Sequence, residues 1–267
     1  MNGQFSTRVI TLMPVAIAIN IVLGVTVQQV LKLPIYLDSI GTILVGVLAG
    51  PLAGALTGIL SNLIWQYAPG IGGGTIGPFA VVAGVIGLLA GLWGQVGIFR
   101  SRPASGIQLW GPALAAVVII LLLASRVYAN PAYNDPAFFV PWYSTAILVV
   151  AVLMSAAVVG YVWLKRDAAG AWVAVAGAVT GIVAAIVSAP IAAYLFGGVT
   201  GGGTDVIVAA LRQGGADVLN ASLGQGFFSD PIDKVITSFV VLVLIKSLSP
   251  RLLARFPNGE RLTEEAA

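Results

Sequence analysis

LDSIGTILVGVLAG (residues 37–50) runs directly into PLAGALTGILSNLIWQ (residues 51–66), an almost uninterrupted apolar stretch. As a single helix it would be about 45 Å long at ~1.5 Å per residue, against a bilayer hydrocarbon core of about 30 Å. Gly50-Pro51 stands at its midpoint. Proline has no N–H to continue the helical ladder, and its ring clashes with the preceding turn. The stretch therefore reads as two short helices, 37–49 and 51–66, that meet in a tight turn. That reading sets the parity of every segment that follows.

The rest of the chain has the same character. Of 267 residues, 58% are hydrophobic and 9% are charged, too few polar groups to cover a water-soluble domain of this size. Six further apolar runs, 8–31, 78–99, 109–127, 142–164, 171–196 and 231–248, have about the length of a bilayer crossing. The run Val9–Val30 lacks a small-residue cleavage site and more spans follow it, so it reads as an uncleaved first helix. The expected fold is an all-α polytopic membrane protein, one membrane domain over 1–267 with about eight segments and both termini cytoplasmic. Charge supports that count. With eight segments Arg8, Arg100, Arg102, Lys165, Arg166, Lys246, Arg251, Arg255 and Arg261 fall on the cytoplasmic side. Only Lys32, Arg126, Arg212 and Lys234 fall outside, as the positive-inside bias requires. A single span over 37–66 would scatter the basic loops over both sides.

Histidine and cysteine are absent. Disulfides, His or Cys metal ligation, thiol nucleophiles and His-based triads are excluded with them. No GxxxxGK[ST] pattern occurs. A net charge of +3 is too small to imply nucleic acid, and nothing suggests a metal or a cofactor. The expectation is a protein without catalysis.

Small residues recur at helical spacing at Gly50, Gly54 and Gly58 with Asn62, and at Gly177, Gly181, Ala185 and Ala189. Such stripes let backbones approach closely in lipid. A third stripe, Ala16, Asn20 and Gly24, fits either internal packing or contact with another subunit. Asp38 and Asp230, the latter just before Pro231, read as helix N-caps that also stand at the outer mouth of the bundle. The GGVTGGGTD run (197–205) lacks the lysine of a phosphate loop and reads as a mobile lid, followed by a short helix over about Asp205–Arg212. Gly72-Gly73-Gly74 marks a second outer loop. The groups that converge on this face are Asp38, Asn62, Trp65, Gln66, Tyr67, Asp205, Asn220 and Asp230. They are the candidate small-molecule site, a few polar groups among apolar walls.

Leu37-Asp38-Ser39-Ile40-Gly41-Thr42 and Leu48-Ala49-Gly50-Pro51-Leu52-Ala53-Gly54-Ala55-Leu56-Thr57-Gly58 resemble the second and third helices of the substrate-binding S components of energy-coupling factor transporters. Ser188-Ala189-Pro190 through Thr200-Gly201 is similar to the fifth helix and its following loop. Ser229-Asp230-Pro231-Ile232-Asp233-Lys234 resembles the start of the last helix, which ends in the basic Pro250–Arg255 segment. The resemblance covers roughly 8–99 and 171–257. It implies a uptake subunit in a bacterial or archaeal cytoplasmic membrane that captures a vitamin-like molecule at the outer face. Delivery would depend on a separate T subunit and two ATPases. The family's first-helix docking motif, AxxxA, would correspond to Ala16 and Asn20, with Gly24 one turn on. The family fold has six helices, so residues 100–168 would be an inserted transmembrane hairpin and 250–267 a cytoplasmic tail. The alternatives are a self-sufficient secondary transporter, against which an apparent lack of buried acids counts, and a membrane sensory module.

Overall fold

The computed structural model describes residues 3–69, 74–129 and 141–263. Among them every named element is helical: α1 (Thr7–Gly24, extended by a π-helical turn Val25–Val30), α2 (Ile40–Ala49), α3 (Pro51–Tyr67), α4 (Ala80–Gln95), α5 (Ile107–Ala129), α6 (Pro141–Lys165), α7 (Ala169–Phe196), α8 (Asp205–Gln213), α9 (Val218–Ser247), and the short α10 (Pro250–Leu253) and α11 (Gly259–Thr263). Among the described residues four segments are long and apolar enough to cross a membrane: Thr7–Val30, Gly77–Gln95, Leu148–Lys165 and Ala169–Phe196. Ile40–Ala49 and Ile107–Leu121 are apolar but shorter. The outward faces of α1, α4 and α7 carry exposed Val15, Val22, Val81, Leu92, Val175 and Ile186, a surface suited to lipid rather than water.

The break at Gly50-Pro51 is present. Gly50 ends α2 at φ 112° and donates its N–H to Gly46 O, and Pro51 opens α3. That φ is open to glycine at little cost, and proline is well suited to the first helical position. The glycine stripe beyond it packs inside the chain. A Cβ at Gly54 would lie 2.5 Å from Gly87 O, and one at Gly58 would lie 2.4 Å from Ala83 O, so α3 and α4 touch backbone to backbone. Gly177 and Gly181 do the same for α7 against Lys234 O and the Pro231 backbone of α9.

The third stripe also packs internally. Ala16 and Asn20 are buried, and a Cβ on Gly41 would lie 2.1 Å from Ala16 O. Asn20 Nδ2 donates to Thr42 Oγ1 (2.8 Å) and Ser61 Oγ (2.9 Å), while its Oδ1 accepts from Gly41 N–H (2.7 Å). A Cβ on Gly24 would lie 2.5 Å from the Trp65 ring. The face formed by Ala16, Asn20 and Gly24 is therefore packed against α2 and α3 within the chain.

The last long helix differs from its expected bounds. It begins at Val218, with Asp217 as N-cap accepting from Asn220 N–H (2.9 Å), and runs through Pro231 to Ser247. Asp230 is thus a buried mid-helix residue, not a cap. The expected short helix after the glycine run is present as α8 (Asp205–Gln213), while 218–230, expected to precede the last helix, forms the first turns of α9. Asp38 is no cap either: Ser39 precedes α2, and its side chain makes no capping bond.

The opposite end of the bundle is tied together by Asp167. Its Oδ1 accepts from Arg102 N–H (2.8 Å) and Ala169 N–H (2.9 Å), and Lys246 Nζ stands 3.5 Å from Oδ2. Burial raises the pKa of this carboxyl, but the two amides and the lysine more than offset it and hold it below the usual carboxylate range. The clamp joins the two ends of the α5–α6 pair, which pack on each other through Trp110 and Trp163, edge to face at 4.6 Å. The chain beyond α9 folds back to the same end, where Asn258 Nδ2 donates to Val47 O (2.9 Å) and its N–H to Leu48 O (3.0 Å).

Candidate functional site

Away from the Asp167 clamp, described residues of the segments after α1, α3 and α7 border a partly open cavity of about 110 Å³. One wall is apolar, with Phe79, Val82 and Ile86 from the α4 side and Ala184, Ala189 and Ala192 from α7. The other is polar, with Gln28, Tyr36, Asp38, Ser39, Asn62, Thr75, Thr200, Gln225, Asp230 and Lys234.

The polar wall is organised by α9. Residues 230, 233 and 234 are three and four apart and share one helix face. Asp233, fully buried, accepts from Tyr36 N–H (3.0 Å) and Leu37 N–H (2.8 Å) on Oδ1 and from Lys234 Nζ on Oδ2. This anchors the loop before α2, where Leu37 has φ 52°, a conformation that a non-glycine residue keeps only when its surroundings impose it. Lys234 Nζ also lies 4.0 Å from Asp38 Oδ1 and 5.9 Å from the centre of the Tyr36 ring. Gln28 Nε2 donates to Asp38 Oδ2 (3.0 Å). The Tyr36 hydroxyl donates to Thr204 Oγ1 (3.4 Å) and accepts from Gln225 Nε2 (3.0 Å). Burial, with the Asp230 carboxylate second, pushes this phenol well above its ordinary range, so it works as a neutral hydroxyl.

Not every polar group is engaged. Asp230, 5% exposed, has only a long contact from Ser229 Oγ (3.4 Å). Ser39 Oγ is buried without a partner. No hydrogen bond engages the Asn62 side-chain amide among the described residues, and Asn62 is 5% exposed. Buried polar groups are normally paired, so two orphan groups in the wall of one cavity suit a bound molecule that supplies their partners.

Of the eight expected site residues, the fold brings Asp38, Asn62 and Asp230 to the cavity. Trp65 is buried behind it against Ile17 and Ile21, with Nε1 unpartnered. Gln66 ties the next loop, donating to Gly74 O (3.0 Å) and accepting from Gly77 N–H (2.8 Å). Tyr67 is exposed, and Asn220 is exposed beside its partner Asp217. Asp205 holds the glycine run, accepting from Thr200 N–H (3.0 Å) and Gly201 N–H (2.7 Å). Thr200 and Gly202 then line the cavity, so this run is a fixed wall as well as a connection. Gly72 and Gly73 lie outside the described residues, as does most of the 128–141 loop.

Gln28, Tyr36, Gln225, Asp233 and Lys234 were not among the expected site residues. The 225, 229, 233 and 226, 230, 234 spacings are visible in the sequence once the helix is continued through Pro231. The expected lack of buried acids is also corrected: Asp38, Asp230, Asp233 and Lys234 form one cluster. No group of metal-ligating side chains suited to an ion occurs among the described residues. The chain matches no protein-family model, no curated protein and no solved structure.

Proposed function

We propose that the chain is the substrate-binding subunit of an energy-coupling factor type uptake transporter. In this reading the cavity end faces outward and the Asp167 end faces the cytoplasm, with about eight membrane segments. It captures a vitamin-like small molecule and relies on a separate T subunit and two ATPases for delivery. The observation that carries the reading is the small, partly open cavity at the loop end of the bundle, lined by the unpartnered Asn62 and Ser39 groups. A pocket of mixed apolar and polar walls suits binding. The sequence resemblance and the gathering of basic residues at the opposite end add to it.

A second reading has its own support. The buried Asp230, Asp233 and Lys234, with the half-buried Asp38 beside them, are the kind of intramembrane charges that mark ion-coupled transporters. Purification from native membranes in mild detergent separates the two. A binding subunit co-purifies with a T subunit and two ATPases. Recovery of the chain by itself from membranes in which that module remains assembled contradicts the proposal.

A further inference from the structure

The cavity's charge balance points to the chemistry of its occupant. Three carboxylates, Asp38, Asp230 and Asp233, meet one ammonium, Lys234, so the cluster has a formal excess of two negative charges. Asp233 uses both oxygens, on the Tyr36 and Leu37 amides and on Lys234. That leaves two carboxylates facing the cavity: Asp38, with Gln28 Nε2 at 3.0 Å on one oxygen and Lys234 at 4.0 Å from the other, and Asp230, with only Ser229 Oγ at 3.4 Å. Buried carboxylates need a counter-charge or strong donors. The unpartnered Ser39 hydroxyl and Asn62 amide line the same space and are independent signs of a missing polar partner.

We propose that this cavity binds a compact organic cation, a protonated amine on a short apolar body, with its N–H groups on Asp38 and Asp230 and its body against Phe79, Val82 and Ile86. The inference rests on reading the cavity as a ligand site and adds the class of ligand. The cavity is small, about 110 Å³, which favours a compact ligand over a large one. A bare metal ion would leave the apolar wall unused, and the donor geometry for one is missing among the described residues.

The test measures binding to the purified full-length protein by calorimetry, with three probes that share one body: isopentylamine, isopentanol and isovalerate. The amine should bind roughly tenfold tighter than the alcohol, a difference of ~1.4 kcal/mol, and isovalerate should not bind. Asp230→Asn and Asp38→Asn, each checked for an unchanged melting profile, should weaken amine binding about tenfold. Equal or tighter binding of the alcohol or the carboxylate overturns the proposal. So does failure of the amine to bind at millimolar concentration, a response to sodium chloride equal to that of the amine, or full amine affinity in both variants. Amine binding by a chain that purifies without a T subunit upholds the ligand class and removes the uptake-subunit reading. Co-purification of the module with preference for the alcohol does the reverse.

Discussion

Asp233 and Lys234 show what a single buried residue does here. Asp233 pairs with its neighbour and holds two amides of the loop before α2. Removing one partner of a buried pair typically costs about 3–5 kcal/mol, because the other charge is left uncompensated. Asp233→Ala should therefore lower thermal stability sharply, and Asp233→Ala with Lys234→Met should recover part of the loss. A double variant no more stable than the single would show that the pair is not the source. Gly24 gives a second residue-level test. A side chain there meets the Trp65 ring, so Gly24→Leu should reduce folded yield and stability of the isolated chain by the ~1–3 kcal/mol typical of overpacking. Normal melting of that variant would mean that α1 does not pack on α3 through this face.

Among the elements, the Asp167 clamp has a pH signature. Its carboxyl is held below the ordinary value by the Arg102 and Ala169 amides and Lys246 against the opposing effect of burial. A folded-state pKa below the unfolded one adds stability above the unfolded value, ~3.9 for Asp, and that stability disappears as pH falls through the folded value. Wild type should melt above Asp167→Asn at neutral pH, and the gap should close in acid. A gap constant with pH would rule out the charge as its cause. The elements were unequally legible in the sequence. The α2–α3 break could be read because Gly50-Pro51 interrupts a run too long for a bilayer. The start of α9 could not, because Asp230-Pro231 has the form of a cap followed by a first helical residue. Asn220, Ser222, Gln225, Ser229 and Asp230 also look like a solvated loop. Gln225 and Asp230 instead line the cavity and Ser222 and Ser229 are buried, which local pattern cannot reveal. Trp65, Gln66 and Asp205 were placed near the right end of the bundle, yet they support its walls and loops without touching the cavity. Which side of α3 the Trp65 ring takes is decided by Gly24, a tertiary contact.

Over the whole molecule, one end holds the cavity and the other gathers the Asp167 clamp, the folded-back tail and most basic residues. The proposed orientation puts these ends on opposite sides of the membrane. The chain has no cysteine, so Val199→Cys and Ser105→Cys give clean single-site labels. An impermeant thiol reagent should reach the first in intact cells and the second only after permeabilisation. Labelling of both from outside would contradict the eight-segment orientation. The binding-subunit account is tested most directly by uptake into proteoliposomes from a mixture of small metabolites, with accumulated solutes read by mass spectrometry. The account predicts accumulation only when the co-purified T subunit, the ATPases and ATP are present. Accumulation by the chain alone under an imposed proton or sodium gradient would contradict it.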